Sequence, residues 1–139
     1  MALTFVVALA VMYAAHNVAD HVFGQTDKVA ANKSKPGRVG WLAILQHVAS
    51  YHIVMLVMLW ITFIAVDVSV SLPGLIAGLL FSAVTHAILD RRWPVKWILE
   101  RTGSPAFAQL TQPLCGMYLA DQALHCFCLW ISALLIACL

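Results

Sequence analysis

Three pairs of histidine and aspartate recur in this chain at a spacing of four residues, each inside or at the edge of an apolar segment. The pairs are His16 with Asp20, His86 with Asp90, and Asp121 with His125. Residues four apart on a helix lie on nearly the same face, so both members of a pair point the same way. Imidazoles and carboxylates that converge from several helices are typical ligands of divalent metals. We therefore predict all six as metal ligands.

Charge compensation also favours a metal, because an ionised carboxylate is costly in hydrocarbon and a bound cation offsets its charge. Zinc is the first expectation, with manganese and iron as alternatives, and the number of ligands leaves room for two ions. Three other uses of these residues stay open. They are hydrogen bonds that hold the helices together, proton transfer, and haem ligation, which needs only two histidines and leaves the aspartates unexplained.

The second apolar segment carries His47 and His52, which are five residues apart. That spacing turns them about 140° away from each other on a helix, so we expect only one to join the pairs directly. We predict His47, or an aspartate that does not bind metal, as a general base. Gln25 and Lys28, at the polar end of the first segment, are predicted to orient a substrate, and an ordinary solvated helix end is the alternative.

The elements that position these residues are indicated by composition. Hydrophobic residues make up 63% of the 139 residues and charged residues 10%, against roughly 45–50% and 25% in soluble domains. Apolar runs at about 2–23, 41–66, 72–90 and 114–138 are each long enough to cross a bilayer. We predict one all-α transmembrane domain over residues 1–139, an antiparallel up-down four-helix bundle. Residues 93–101 are predicted to add a short interfacial helix.

The basic residues indicate an orientation. Lysine and arginine are confined to the loop after the first run and the loop after the third, which places both loops in the cytoplasm and both termini outside. Every His/Asp pair then lies in the cytoplasmic half, and the reversed order of Asp121 and His125 matches the reversed direction of the last helix. Eight basic residues in two loops give little support to nucleic-acid binding.

Two features have weaker interpretations. The first run has the length of a signal peptide, but it lacks a basic start and contains His16 and Asp20, so we expect it to be retained. Four cysteines fall in or at the start of the last run without a CxxC spacing, and we interpret them as small membrane-buried residues rather than redox or metal groups.

Four polar stretches carry a resemblance to a known family: HNVADHVFGQTDKVAANK, HVASYH, AVTHAILDRR and LADQALH. Over nearly its whole length the chain resembles the domain of unknown function 3307 family, small bacterial and phage membrane proteins, in its actinobacterial form. The resemblance implies a bacterial plasma membrane and a recurring polar pattern, but no specific reaction. The pattern comprises His16, Asp20, Gln25, Lys28 or Lys33, His47, His86, Asp90, Asp121, Gln122 and His125.

The leading hypothesis for function is a metal-dependent hydrolase that acts at the cytoplasmic membrane face on a lipid-like or phosphoester substrate. The His and Asp layout also looks like that of membrane-bound metal-dependent hydrolases. A metal-ion or proton binding or transport module is one alternative, for which a homodimer is an option. The other is a structural partner in a larger membrane complex.

Overall fold

The structure, a computed structural model, describes all residues from 1 to 139 and is all-helical, without a β-strand. A π-helical turn, Ala19–Phe23, extends the first helix. The α-helices are α1 (Ala2–Val18), α2 (Asp27–Asn32), α3 (Gly37–Ala65), α4 (Leu72–Leu89), α5 (Trp93–Arg101), α6 (Pro105–Gln109) and α7 (Gly116–Cys138).

Four of these segments are long and apolar enough to cross a membrane: Ala2–Phe23, Gly37–Ala65, Leu72–Leu89 and Gly116–Cys138. The predicted all-α class and its four apolar helices are confirmed. The second helix begins earlier than predicted, at Gly37, directly after Pro36, which has the extended conformation of an N-cap. A helix also occupies the segment predicted to be interfacial, and the short α6 follows it.

The long helices pack through small residues and an apolar core. Helix α1 packs against α3 and α7, and α4 packs mainly against α7. A Cβ atom at Gly78 of α4 would lie 2.6 Å from the carbonyl oxygen of Ser132, so glycine is what lets these two helices approach. Met12, Met55 and Leu59 belong to a buried apolar cluster. The buried histidine and aspartate side chains lie in a different part of the helices.

Candidate metal centre

Asp20 lies in the π-helical turn that ends the first membrane segment. Such turns are uncommon and occur frequently at functional sites. The turn closes through a 2.6 Å bond from the Gly24 amide to the Ala19 carbonyl oxygen. A Cβ atom on Gly24 would collide with that same oxygen, so this position requires glycine. The carbonyl of Gly24 is left facing α3, where it accepts a hydrogen bond from His47 Nδ1 at 2.8 Å.

Four side chains meet beside this turn, and we call them the first group: Asp20, His47, His86 and Asp90. His47 Nε2 lies 2.9 Å from Asp20 Oδ1 and 3.3 Å from Asp90 Oδ2. His86 Nε2 lies 3.9 Å and 3.5 Å from the same two oxygens. Ligand atoms around a tetrahedral ion with bonds of roughly 2.0–2.1 Å are separated by about 3.3 Å. The observed separations bracket that value.

The hydrogen bonds of His47 are compatible with two protonation states of its ring. Its Nδ1 faces a carbonyl oxygen, which can only accept, so Nδ1 carries a proton. Its Nε2 then either carries a second proton, which makes a buried imidazolium, or presents a lone pair toward two carboxylates. A lone pair facing two anions is unfavourable unless a cation lies between them. The neutral state of His47 therefore fits a metal ligand.

Burial makes the unpaired atoms of this group costly. No side chain in it is more than 6% exposed. His86 Nε2 and Asp90 Oδ2 nevertheless have no hydrogen-bond partner, and buried polar atoms in native proteins are almost always paired. One divalent cation would satisfy both atoms and balance the two carboxylates. The donor set of two imidazole nitrogens and two carboxylate oxygens fits such an ion.

A second group shares Asp90 with the first and adds Asp121 and His125 from α7. His125 Nδ1 donates to the Asp121 carbonyl oxygen at 2.8 Å, which leaves Nε2 as the free nitrogen. That Nε2 and Asp121 Oδ1 are both buried atoms without a partner. The Asp121 side chain is 19% exposed, so this group is the more accessible of the two.

A chain of hydrogen bonds connects α3, α1 and α7 and ends on two of these carboxylates. Tyr51 Oη donates to His16 Nδ1 at 3.1 Å, and His16 Nε2 donates to Gln122 Oε1 at 3.0 Å. The Gln122 amide then donates to Asp20 Oδ2 at 3.2 Å and to Asp121 Oδ2 at 3.4 Å. Hydrogen bonds of this kind orient metal ligands in other proteins.

Asp90 is also held by the loop that follows α2. Lys33 Nζ lies 2.9 Å from Asp90 Oδ1, and the lysine side chain is only 9% exposed. Arg91 fixes this loop by donating to the carbonyl oxygens of Lys33 and Lys35. Asp90 follows the last residue of α4. Burial raises the pKa of the Asp90 carboxyl group. Contact with His86 and the charge of Lys33 lower the same pKa by a larger amount, so the net direction is downward.

A cavity of about 260 Å³ opens beside both groups. Asp20 and Asp90 of the first group and Asp121 of the second border it, together with Lys33 and Arg92. Gln25 also borders it, and the Oε1 atom of Gln25 is buried without a partner. The cavity therefore joins the carboxylates to two cationic side chains and one free hydrogen-bond acceptor.

The structure brings five of the six predicted ligands into the two groups and leaves His16 outside them. Both ring nitrogens of His16 contact Tyr51 and Gln122 instead. His47, predicted as a general base, lies in the first group. His52 contacts Ser82 and does not join either group.

Of the two residues predicted to orient a substrate, Gln25 borders the cavity, whereas Lys28 is exposed and does not. Lys33 enters the site instead. Tyr51 was not predicted, although it follows His47 by four residues and so shares its helix face, which was a usable signal.

Comparison with known proteins finds no matching family model, no matching curated protein and no matching solved structure. The family resemblance noted from the polar motifs therefore stays a prediction.

Proposed function

We propose that this chain is a membrane-embedded metal-dependent hydrolase with its ion at Asp20, His47, His86 and Asp90. One observation carries the proposal: ligand atoms of these four side chains lie within 4.8 Å of one another, with N–O separations of 2.9, 3.3, 3.5 and 3.9 Å, and two of them have no hydrogen-bond partner. Two imidazoles and two carboxylates favour zinc, with manganese and iron as alternatives. In this proposal His47 is a ligand, which replaces its predicted role as a general base.

A divalent ion held by Asp20, His47, His86 and Asp90 would supply Lewis acidity and would lower the pKa of bound water, which is the basis of metal-assisted hydrolysis. The protein supplies the surroundings. Gln25 Oε1 is a free acceptor at the cavity and orients water or a substrate hydroxyl. Gln122 holds the outer oxygen of Asp20 and so fixes the ligand's direction. Hydrolysis would form a bond from the water oxygen to the phosphorus or carbonyl carbon, break the bond from that atom to the leaving oxygen, and transfer a water proton to the leaving oxygen.

The charges around the cavity support a phosphoester or another anionic group as substrate. Lys33 and Arg92 both border it, and cationic side chains beside a metal centre bind phosphate oxygens. A volume of about 260 Å³ suits a head group rather than a whole lipid. Long acyl chains would remain in the bilayer, against the apolar outer faces of the helices.

The membrane arrangement that goes with this proposal is an antiparallel up-down bundle in a bacterial plasma membrane. The basic loops, and with them the cavity, would face the cytoplasm, and both termini would lie outside. A lipid head group in the cytoplasmic leaflet would then reach the cavity directly.

The transport alternative has less support. Transport requires polar groups on both sides of the site. Beyond the two groups the buried residues are mainly apolar, with Met12, Met55 and Leu59 among them. Ser82 and Ser132 are the buried polar residues there. A purely structural role is disfavoured because a hydrogen-bond network that only fixes helices would pair His86 Nε2 and Asp90 Oδ2.

Elemental analysis of the full chain, purified in detergent, tests the metal centre. We expect at least one divalent ion per chain in the wild type and loss of that ion in His86→Ala. The matched control is His52→Ala, which removes a half-buried histidine of the neighbouring helix that lies outside both groups. A wild type without stoichiometric metal, or equal metal in both variants, refutes the centre.

Phosphate release tests the reaction. Metal-loaded protein is mixed with micelles that contain phosphatidic acid, and free phosphate is measured. We expect turnover in the wild type and at least about a tenfold loss in Gln25→Leu with the metal content unchanged. If panels of lipid phosphoesters, carboxylic esters and amides all stay intact while liposomes show metal flux, the chain is a transporter and the hydrolase proposal fails.

A further inference from the structure

We propose that Asp90, Asp121 and His125 form a second divalent-cation site, bridged to the first through Asp90, and that its ion binds together with a phosphate-bearing anion. This inference rests on the proposed function of the first group. It adds the residues of a second ion, the order of binding and the ligand that completes the centre.

The first observation is a set of unpaired atoms that the first ion does not explain. Asp121 Oδ1 and His125 Nε2 are buried and lack partners. Neither residue belongs to the first group, so filling the first site leaves both atoms unsatisfied. The His125 side chain is only 3% exposed, and its Nδ1 is already committed to a backbone carbonyl. The lone pair on its Nε2 therefore has no partner within the chain.

The second observation is the shared carboxylate. Possible ligand atoms of Asp90, Asp121 and His125 all lie within 4.8 Å of one another. A ligand atom of Asp90 also lies within 4.8 Å of those of the other three residues in the first group. Lys33 occupies Oδ1 of Asp90, so Oδ2 is the oxygen free to contact ions. A carboxylate oxygen has two lone pairs and can contact two cations. Hydrolytic enzymes with two ions hold them about 3.5–4 Å apart.

The charge of the centre determines when the second ion binds. With neutral histidines, one divalent ion and Lys33 balance the three carboxylates of Asp20, Asp90 and Asp121. A second divalent ion makes the centre doubly positive in a poorly hydrated site, which is unfavourable without an anion. A phosphate dianion offsets this excess charge, and the adjoining cavity, which the exposed Arg92 also borders, has room for it. Linkage then requires each of the two ligands to strengthen binding of the other.

The two sites also differ in access. Every side chain of the first group is at most 6% exposed, whereas Asp121 is 19% exposed and borders the cavity. The first ion should therefore exchange slowly. The second should exchange readily and arrive with the substrate.

Manganese titration followed by electron paramagnetic resonance tests this. The probe is Mn²⁺ added to the full chain in detergent, with inorganic phosphate or with chloride at the same ionic strength and the same free Mn²⁺. Without phosphate we expect one bound ion. With phosphate we expect a second ion, bound at least about tenfold more tightly than in chloride, and the broadened signal of two spin-coupled ions.

The variants separate this inference from the proposed function. Asp121→Asn and His125→Gln should each bind a single uncoupled ion with or without phosphate, and His52→Ala should behave like the wild type. Circular dichroism checks that each variant is folded. If the wild type binds one ion in both buffers, or two ions that are not coupled, the second site is wrong and the first stands. If no ion binds at all, the proposed function itself fails.

The source of the anion is resolved by a further arm with phosphatidic acid in the micelles instead of inorganic phosphate. A larger gain in Mn²⁺ affinity with phosphatidic acid assigns the ligand to the bilayer, and a larger gain with phosphate assigns it to the aqueous phase. No gain with either one refutes the coupling of the second ion to an anion.

Discussion

At the scale of single residues, the difference between His16 and His47 decides the composition of the centre. Both are fully buried histidines, but both ring nitrogens of His16 have polar partners, whereas His47 Nε2 faces two carboxylates. The ring of His16 is therefore satisfied without a metal. The ring of His47 is satisfied as a buried imidazolium, beside a cation, or by a protonated carboxyl group.

This difference predicts how His16→Gln behaves. If His16 positions Gln122, metal stoichiometry in the variant should equal that of the wild type while metal affinity falls about 10–100-fold, the usual effect of losing a residue that supports a ligand. Competition with a chromogenic chelator measures the affinity, and elemental analysis measures the stoichiometry.

The comparison variant is His47→Gln, which should lose the first ion altogether. A stoichiometric loss of metal in His16→Gln as well would restore His16 to the predicted ligand set. Equal metal affinity in His16→Gln and the wild type would instead show that His16 does not support the centre.

At the scale of elements, the π-helical turn Ala19–Phe23 sets the position of Asp20 and the acceptor of His47. The turn widens the helix by one residue, and Gly24 closes it against Ala19. The same glycine presents the carbonyl that fixes the protonated nitrogen of His47. Local backbone geometry and ligand geometry are thus linked through one residue.

We expect Gly24→Ala to lower both the stability of the chain and its affinity for metal. The added Cβ atom meets a backbone oxygen that cannot move freely, so the free energy of unfolding should fall by about 1–3 kcal/mol. Metal affinity should fall with it because His47 loses its fixed orientation. Thermal unfolding in detergent and chelator competition measure the two effects.

The control is Gly103→Ala, at a glycine with φ of +88° and open space around it. Backbone strain there should cost about 1–2 kcal/mol and leave metal affinity unchanged. If Gly24→Ala binds metal as tightly as Gly103→Ala does, the turn has no part in shaping the centre.

At the scale of the whole molecule, the proposed site depends on which end of the helices faces the cytoplasm. The basic loops lie beside the polar groups. Lys33 forms an ion pair with Asp90, and Arg91 donates a hydrogen bond to the carbonyl oxygen of Lys33. The connection between α3 and α4 contains no lysine or arginine. The distribution of positive charge therefore predicts a cytoplasmic cavity.

Cysteine labelling in cells tests this orientation. In a variant whose four native cysteines are replaced by alanine, Lys35→Cys and Asp67→Cys place single thiols at exposed positions in the two kinds of loop. A membrane-impermeant maleimide should label Asp67→Cys in intact cells and Lys35→Cys only after the membrane is permeabilised. The reverse pattern would place the cavity outside and remove the cytoplasmic leaflet as its source of substrate.

The sequence by itself determined the local features of this protein. Hydropathy over windows of about 20 residues located four apolar helices, because spanning helices must bury their backbone groups in hydrocarbon. A spacing of four residues correctly placed His86 with Asp90 and Asp121 with His125 on common faces, because helical geometry follows from the chain alone. The π-helical turn left no comparable signal, since it depends on packing around Gly24.

Only the tertiary structure decided which of the polar residues meet. The packing of the first membrane segment brings His16 to Tyr51 and Gln122, whereas Asp20, in the π-helical turn, contacts both Gln122 and His47. The path of the loop after α2 brings Lys33 rather than Lys28 to Asp90. These contacts result from packing between segments that are distant in the chain. Spacing within one segment therefore could not distinguish the histidine that supports the centre from the one that belongs to it.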